Sequence, residues 1–148
     1  MDTHAHTSRR GHRPRARLRA AAALAVALSM SLPAASAVAA TPAELLAGYR
    51  SQAGAAPSAA RGQAFFTQRH GGEWSCSSCH GDRPVAAGRH ASTGKAIEPL
   101  APAANGQRFA DAAKVEKWFR RNCKDVLSRE CSAAEKADVM AWLMEARP

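Results

Sequence analysis

The residues with the clearest chemistry form one pentapeptide, Cys76-Ser77-Ser78-Cys79-His80. Two thiols at this spacing can each form a thioether with a haem vinyl group, and a histidine directly after them then lies under the iron. The motif therefore predicts one covalent c-type haem held by Cys76 and Cys79, with His80 as the proximal iron ligand. The alternatives are a chance pentapeptide, a disulfide or half of a zinc site. A zinc site of that kind needs a second Cys-x-x-Cys pair, whereas Cys123 and Cys131 are eight positions apart.

The first 40 residues have the pattern of an export signal. Residues 1–19 contain six arginines and one acid, residues 20–32 are almost wholly apolar, and small residues follow through residue 40. The apolar run is too short to span a bilayer and matches a signal peptide. We therefore predict a signal peptide at residues 1–40, general secretion to the periplasm and a mature domain at residues 41–148. The arginine pair at 9–10 could suggest twin-arginine export, but no apolar stretch follows it directly. An uncleaved, membrane-anchored form is the other alternative.

The mature domain is small and only mildly basic. Without the six arginines and the single acid of the export segment, it keeps 15 basic and 11 acidic residues, a net charge of +4. No basic stripe with interleaved aromatic residues is present, so nucleic-acid binding has little support. A mildly basic face would suit an acidic redox partner. The eight aromatic residues of the chain build a thin core, so we expect the haem to supply much of the apolar filling.

The chain reads as an all-α domain without repeats or strand-like alternation. Capping signals predict four helices, which begin after Thr41, Ser58, Asp111 and Ser132. The first helix should stop near residue 54 and the third near residue 122. Residues 81–108, rich in Gly, Pro and Ala, are predicted to form a loop that crosses one haem edge.

This arrangement resembles class I cytochromes c. Gly62 and Phe66 lie one turn apart ahead of the haem motif, and Trp142-Leu143 lie on the terminal helix. The resemblance implies a small helical domain wrapped around one covalent haem. It also implies that the glycine lets its helix approach an aromatic residue of the last helix.

The sixth iron ligand is not settled by the residues alone. Leu100 stands in the loop where an electron-transfer cytochrome presents methionine, and leucine has no lone pair. The other candidates are all weak: Met140 and Met144 on the last helix, His70 and His90 in polar loops where they are expected to be exposed, and Lys95. Asn122 lies on the apolar face of the third helix, with Val115, Trp118 and Phe119. A buried amide needs a partner, which the iron could be, but an asparagine near a helix end is often a C-cap.

The two remaining cysteines have one pairing left to them. If the haem consumes Cys76 and Cys79, an oxidising compartment leaves a Cys123–Cys131 disulfide, with two free thiols as the alternative. Such a bridge could be only a staple. It could also hold the end of the Asn122 helix against the haem.

Residues 45–143 resemble, more closely, the oxygen-binding cytochrome family typified by sphaeroides haem protein. The motifs that carry the resemblance are Asn122-Cys123 with Cys131, Thr93-Gly94-Lys95, Pro99-Leu100-Ala101-Pro102 and Val115-Glu116-Lys117-Trp118. It implies that Asn122 ligates ferric haem and swings away on reduction, leaving a site for small ligands. It further implies haem anchors at Cys76 and Cys79, a proximal ligand at His80, a Cys123–Cys131 disulfide, and a membrane cytochrome or soluble multi-haem cytochrome as electron donor.

The expected function is that of a haem protein that accepts electrons and then binds or reduces a diatomic ligand such as O2 or NO. The main alternative is an ordinary electron shuttle, whose haem would stay six-coordinate in both redox states. A gas sensor or scavenger without turnover is the third class. No catalytic residue is assigned, because nothing in the sequence shows that Ser92, Thr93, Lys95 or Glu98 reaches the haem pocket.

Overall fold

A computed structural model describes residues 40–148, so the predicted signal peptide lies outside the described residues. Within this range, no helix is both long and apolar enough to cross a membrane. The described chain forms five helices and one pair of two-residue strands: α1 Pro42–Ala53, α2 Ala59–Thr67, α3 Ser77–His80, β1 Gly88–Arg89, β2 Ala96–Ile97, α4 Ala112–Leu127 and α5 Ala133–Glu145. The all-α prediction is confirmed.

The helix starts follow the capping signals. Thr41 and Glu44 form a reciprocal capping box at α1, and Ser132 and Glu135 form another at α5. Each box satisfies backbone N–H groups that the first turn of a helix leaves without partners. Helix α1 ends where predicted, at Gly54, which adopts a left-handed conformation with φ 64°. Local residue types were sufficient to predict both ends of α1, because the hydrogen bonds that cap each end join residues no more than four positions apart.

The protein core lies where α5 packs against α1 and α2. A Cβ on Gly62 would lie 1.9 Å from the backbone oxygen of Asp138, so only glycine permits this approach of α2 to α5. The class I resemblance implied that the glycine lets its helix approach an aromatic residue of the last helix. Gly62 faces the α5 backbone, and Phe66, one turn after it on α2, packs on Trp142 with ring centroids 4.9 Å apart.

Helix α4 is longer than expected. It continues to Leu127 and ends at Ser128, which adopts a left-handed conformation with φ 59°. The predicted end near Asn122 was therefore wrong, as was the C-cap interpretation of that residue. The half-buried side chains of Val126 and Leu127 prolong the apolar stripe by another turn, which gives the helix a reason to continue.

The segment between α3 and α4 is mostly irregular, as predicted, but it contains one strand pair that was not. Gly88 pairs with Ile97 and Arg89 with Ala96 in antiparallel register. The connecting turn has Gly94 at φ 68°, and the Nδ1 atom of His90 accepts a hydrogen bond from Thr93 N–H. Strands of two residues are too short to show an alternating pattern, so the sequence carried no signal for them.

Candidate haem site

The haem motif occupies one tight turn of helix. Cys76 precedes α3, which contains Cys79 and His80. Buried Ser75 donates its backbone N–H to the Ser78 hydroxyl at 2.9 Å, and its own hydroxyl lies 3.1 Å from the same oxygen. Ser78 is therefore more than a spacer, because it closes the turn that places both thiols and the imidazole.

Gly88 brings strand β1 onto this turn. A Cβ at that position would lie 2.2 Å from the Cys79 carbonyl oxygen and 2.9 Å from the His80 Cα atom. The backbone N–H of Ala91, just after β1, also donates to the Cys79 sulfur at 3.3 Å. Sequence reasoning missed Gly88, because the need for glycine arises only once β1 packs on α3.

Two cavities adjoin the motif and share part of their walls. One has a volume of about 290 Å³ and includes Cys76, whereas the other, of about 600 Å³, includes Cys79 and His80. Four residues line both of them, Arg108, Lys114, Trp118 and Asn122. A planar group that reached both thiols would therefore lie along this shared wall.

The electrostatics of the motif suit metal ligation. Burial, together with the nearby positive charge of Arg108, lowers the pKa of His80 to about 4. The imidazole is therefore neutral at neutral pH, which is the form that binds a metal. Burial also raises the pKa of the Cys76 thiol to about 11.

Asn122 is the amide that this arrangement brings to the cavity. It lies on α4, lines the same cavity as His80, and is only half buried. Its side chain makes no hydrogen bond with any of residues 40–148. It is therefore free to serve as a donor to a group bound in the cavity.

Leu100, Met140 and Met144 do not compete with Asn122 as ligands of a haem iron. Leu100 lines the smaller cavity and is anchored by a hydrogen bond from its N–H to the Pro84 oxygen at 2.9 Å. Met140 is fully buried in the protein core. Met144 lines a groove beside α1. Neither methionine lines the two haem cavities, so core packing explains Met140 and ligation by either is disfavoured.

The histidine predictions need correction, since both side chains are half buried rather than exposed. The His70 Nε2 atom lies 2.8 Å from the Phe65 carbonyl oxygen, and its ring packs on Phe65 with centroids 4.5 Å apart. Contacts with α2 account for its position, outside both cavities. His90, in contrast, lines the larger cavity, because the β1–β2 turn folds it inward. Lys95 and Thr93 line the same cavity.

Arg108 was not singled out from the sequence. Its Nε–H donates to the Pro99 backbone oxygen at 2.8 Å and an Nη–H donates to the Glu98 backbone oxygen at 2.9 Å. These bonds attach the loop that carries Leu100 to the wall shared by the two cavities. The next residue, Phe109, is buried with φ 63°. Neither the Arg108 hydrogen bonds nor the Phe109 conformation has a signal in the sequence, because both depend on where the loop folds back onto the cavity wall.

Two cross-links hold α4 to the rest of the domain. A disulfide joins buried Cys123 to Cys131, with 5.5 Å between Cα atoms, as the sequence predicted. The Glu116 carboxylate accepts hydrogen bonds from the Tyr49 hydroxyl on α1 and from Lys136 on α5, the latter at 2.8 Å. Because the disulfide uses the second pair of thiols, those sulfurs are not available for zinc.

The residues present fit a covalently attached haem. Two thiols, a neutral imidazole and an apolar wall that includes Phe65, Phe66 and Phe109 surround adjoining cavities. The basic side chains of Lys95, Arg108, Lys114 and Arg121 line the cavities as well, which suits a cofactor that carries two carboxylates.

The chain is similar to known proteins over most of the described range. Residues 52–143 match the family model described as a domain of unknown function (DUF1924). The cytochrome c-type protein SHP of Cereibacter sphaeroides is 50% identical over 107 residues, which is 70% of this chain and 82% of that protein. Cytochrome c'' of Methylophilus methylotrophus is 43% identical over 98 residues, or 63% of this chain and 68% of the relative.

Solved structures agree with these relatives. The structure of oxidised SHP, described as an oxygen-binding cytochrome c, is matched with a TM-score of 0.66 at 50% identity, over 71% of this chain and 96% of that one. The crystal structure of oxidised cytochrome c'' is matched with a TM-score of 0.66 at 37% identity, over 72% and 95%. The chain therefore belongs to the DUF1924 family, is related to SHP and cytochrome c'', and is a monohaem c-type cytochrome that carries covalent haem c.

Proposed function

We propose that this cytochrome accepts an electron and then binds or reduces a small ligand such as O2 or NO. In the proposal, Cys76 and Cys79 anchor the haem, His80 is the proximal ligand, and Asn122 occupies the distal position in the oxidised protein and leaves it on reduction. The haem supplies a one-electron redox couple and a coordination site at its iron. The observation that carries the proposal is that Asn122 shares a cavity with His80 and has no hydrogen-bond partner among residues 40–148.

The chemistry of an amide supports a bond that depends on redox state. An amide oxygen is a hard, neutral and weak donor, and it suits ferric iron better than the softer ferrous iron. A thioether sulfur would favour the ferrous state instead, but Leu100 stands where that sulfur would come from. An electron added to the site should therefore weaken the hold of Asn122 while it leaves the imidazole of His80 in place.

The surroundings of Asn122 allow it to be displaced. The adjacent Cys123 is fixed by its disulfide, so the backbone of α4 can stay where it is while the side chain turns. Trp118 lies one turn earlier on the helix and Val126 one turn later, and both line the same cavity. A tethered amide of this kind also competes with the incoming ligand and lowers its apparent affinity.

The relatives support ligand exchange at this type of haem. One is described as an oxygen-binding cytochrome c. A solution structure of the other, matched at 38% identity with a TM-score of 0.65, is described as giving insight into haem-ligand detachment. We carry both properties over to this chain as part of the proposal.

We further propose that the protein acts in the periplasm, after export through the predicted signal peptide. The Cys123–Cys131 disulfide supports an oxidising compartment. A membrane cytochrome or a soluble multi-haem cytochrome would supply the electron.

His90 favours a second candidate function, that of an ordinary six-coordinate electron carrier. Its imidazole lines the cavity of His80, and imidazole binds both ferric and ferrous iron. The Nδ1 atom of His90 already accepts from Thr93 N–H at 3.3 Å, so only Nε2 could serve as a ligand. Two axial histidines would leave no position for a gas.

The absorption and electron paramagnetic resonance spectra of ferric holoprotein separate these possibilities. We expect Asn122→Ala to change both spectra and to keep or raise the affinity of the reduced protein for carbon monoxide. The matched control is Asn105→Ala, since Asn105 lines neither cavity and its side chain only accepts a bond from Gln107 N–H in its own turn.

The outcomes are distinct. Ferric spectra of Asn122→Ala that equal those of the wild type would exclude ligation by Asn122. A change confined to His90→Ala, together with carbon monoxide binding only in that variant, would establish the six-coordinate carrier.

A further inference from the structure

Helix α4 carries a row of exposed positive charge that begins at the haem cavity. Lys114, Lys117, Arg121 and Lys124 follow each other at intervals of three, four and three residues, so they share one side of the helix, here called the basic face of α4. All four are exposed. Lys114 and Arg121 line the larger cavity, whereas Lys117 and Lys124 line neither cavity and extend the face outward.

No ion pair within the described part of the chain neutralises these charges, and only Lys114 and Arg121 line the cavities where the haem carboxylates would lie. The ion pairs found there are Arg61–Asp138, Arg129–Glu135 and Lys136–Glu116. None of them includes a residue of the basic face, and Glu116, a carboxylate of α4 itself, is occupied by Lys136. Asp111, at the start of α4, and Asp125 are acidic residues beside the face at the two cavities, and neither forms an ion pair within residues 40–148.

Such a row is unfavourable for the isolated protein. Like charges three or four residues apart on a helix repel each other and slightly destabilise it. On α5 the charged residues are arranged differently, since Lys136 is paired and Glu135 and Asp138 each hold an arginine. A negatively charged partner surface docked on α4 would relieve this repulsion and would lie beside the haem.

We propose that the basic face of α4 is the docking surface for the electron donor, and that the donor presents an acidic protein surface there. This inference rests on the proposed function, in which the protein accepts electrons. Charge complementarity would orient the donor so that its redox centre approaches the cavity wall at Lys114 and Arg121. Its main effect would be on the association rate, because exposed charges steer encounters more than they hold complexes.

Stopped-flow reduction of the ferric holoprotein by a reduced plant-type ferredoxin, an acidic iron–sulfur protein, tests the proposal. We expect Lys117→Glu with Lys124→Glu to lower the second-order rate constant about tenfold at low ionic strength. The control pair is Arg50→Glu with Arg147→Glu, which changes the net charge equally but lines neither haem cavity. We expect it to lower the rate less than about twofold, and we expect salt near 0.5 M to remove most of the difference between the pairs.

Each outcome decides the question. Equal slowing of the two pairs would mean that net charge alone matters, and no slowing of the α4 pair would place docking elsewhere; both overturn the proposal. Loss of co-sedimentation with phosphatidylglycerol vesicles in the α4 pair, with an unchanged ferredoxin rate, would assign the face to a membrane and would overturn it too. Circular dichroism and carbon monoxide binding of the same samples show whether the fold and the gas-binding function are intact. Failure of the proposed function therefore appears as lost carbon monoxide binding, independently of the rates.

Discussion

Different contacts hold the two sides of the haem site, the side of His80 and the side of Asn122. On the side of His80, α2 and α5 touch backbone to backbone at Gly62, and the His80 ring lies 6.0 Å from that of Phe66, which is only 2% exposed. On the side of Asn122, α4 directs its apolar stripe at the cavity and is tied to the domain by a disulfide and the Glu116 bonds. The difference teaches that His80, the proposed proximal ligand, lies beside the close contact of α2 with α5, whereas Asn122, the proposed exchangeable ligand, lies on a helix that joins the core through Val115 and Phe119.

The largest effect is expected at the backbone contact of the core. Gly62→Ala would force a methyl group into the Asp138 carbonyl, 1.9 Å from its oxygen. Because neither backbone can yield easily, we expect the free energy of unfolding to fall by about 3 kcal/mol. Chemical denaturation of the holoprotein measures this change.

Gly48→Ala is the matched control. Gly48 lies within α1, and a Cβ there would meet no atom within 4 Å. The exchange should stabilise the protein by about 0.5–1 kcal/mol through helix propensity. Equal effects of the two substitutions would contradict the close contact between α2 and α5.

A somewhat smaller loss is expected when α4 is released from its bridge. Replacing both Cys123 and Cys131 by serine opens a loop of nine residues, for which the loop-entropy relation gives about 2.6 kcal/mol. Hydrogen exchange should then speed up more in α4 than in α5, since α5 keeps its contacts with α2. Uniform acceleration in both helices would show that the two sides of the cavity are one cooperative unit.

The smallest effect concerns the capping box that starts α5. The Arg129 guanidinium, followed by the backbone N–H of Ser132, holds the pKa of Glu135 at about 2, below its ordinary value of 4.5. A lowered pKa in the folded protein means that this stabilisation is present above pH 4.5 and is lost as the pH falls through about 2. Glu135 is half buried but its partner Arg129 is exposed, so solvent screens the pair and Glu135→Gln should cost less than about 1 kcal/mol at pH 7.

Thermal unfolding at several pH values measures that dependence. The difference between wild type and Glu135→Gln should shrink between pH 4.5 and about 2. The control Glu145→Gln removes an exposed carboxylate of the same helix that has no ion pair among residues 40–148. A gap between wild type and Glu135→Gln that stays constant with pH would show that the charge is irrelevant to the box.

Sequence signals predicted the helix ends whose capping hydrogen bonds join residues that are close in the chain. Thr41, Ser58 and Ser132 mark helix starts, because each cap side chain accepts a hydrogen bond from the backbone N–H three residues later. The extension of α4 to Leu127 was missed because Asn122 was taken as an end signal, although its helix is sustained by tertiary contacts.

The haem site shows the same division. Cys76, Cys79 and His80 lie within five residues, so their chemistry is legible without a fold. Gly88 and Arg108 are not legible in this way, because their roles arise from a loop that returns to the motif through long-range contacts. A local sequence pattern does not reveal which residue will contact a carbonyl group that is distant in the chain.

The absorption spectrum of the reduced wild-type holoprotein, recorded before and after addition of carbon monoxide, tests the central claim most directly. If the distal donor on α4 leaves on reduction, carbon monoxide should shift the Soret band at once and saturate at one equivalent per haem. A reduced spectrum of a low-spin, six-coordinate haem that stays unchanged with carbon monoxide, nitric oxide and oxygen would contradict it.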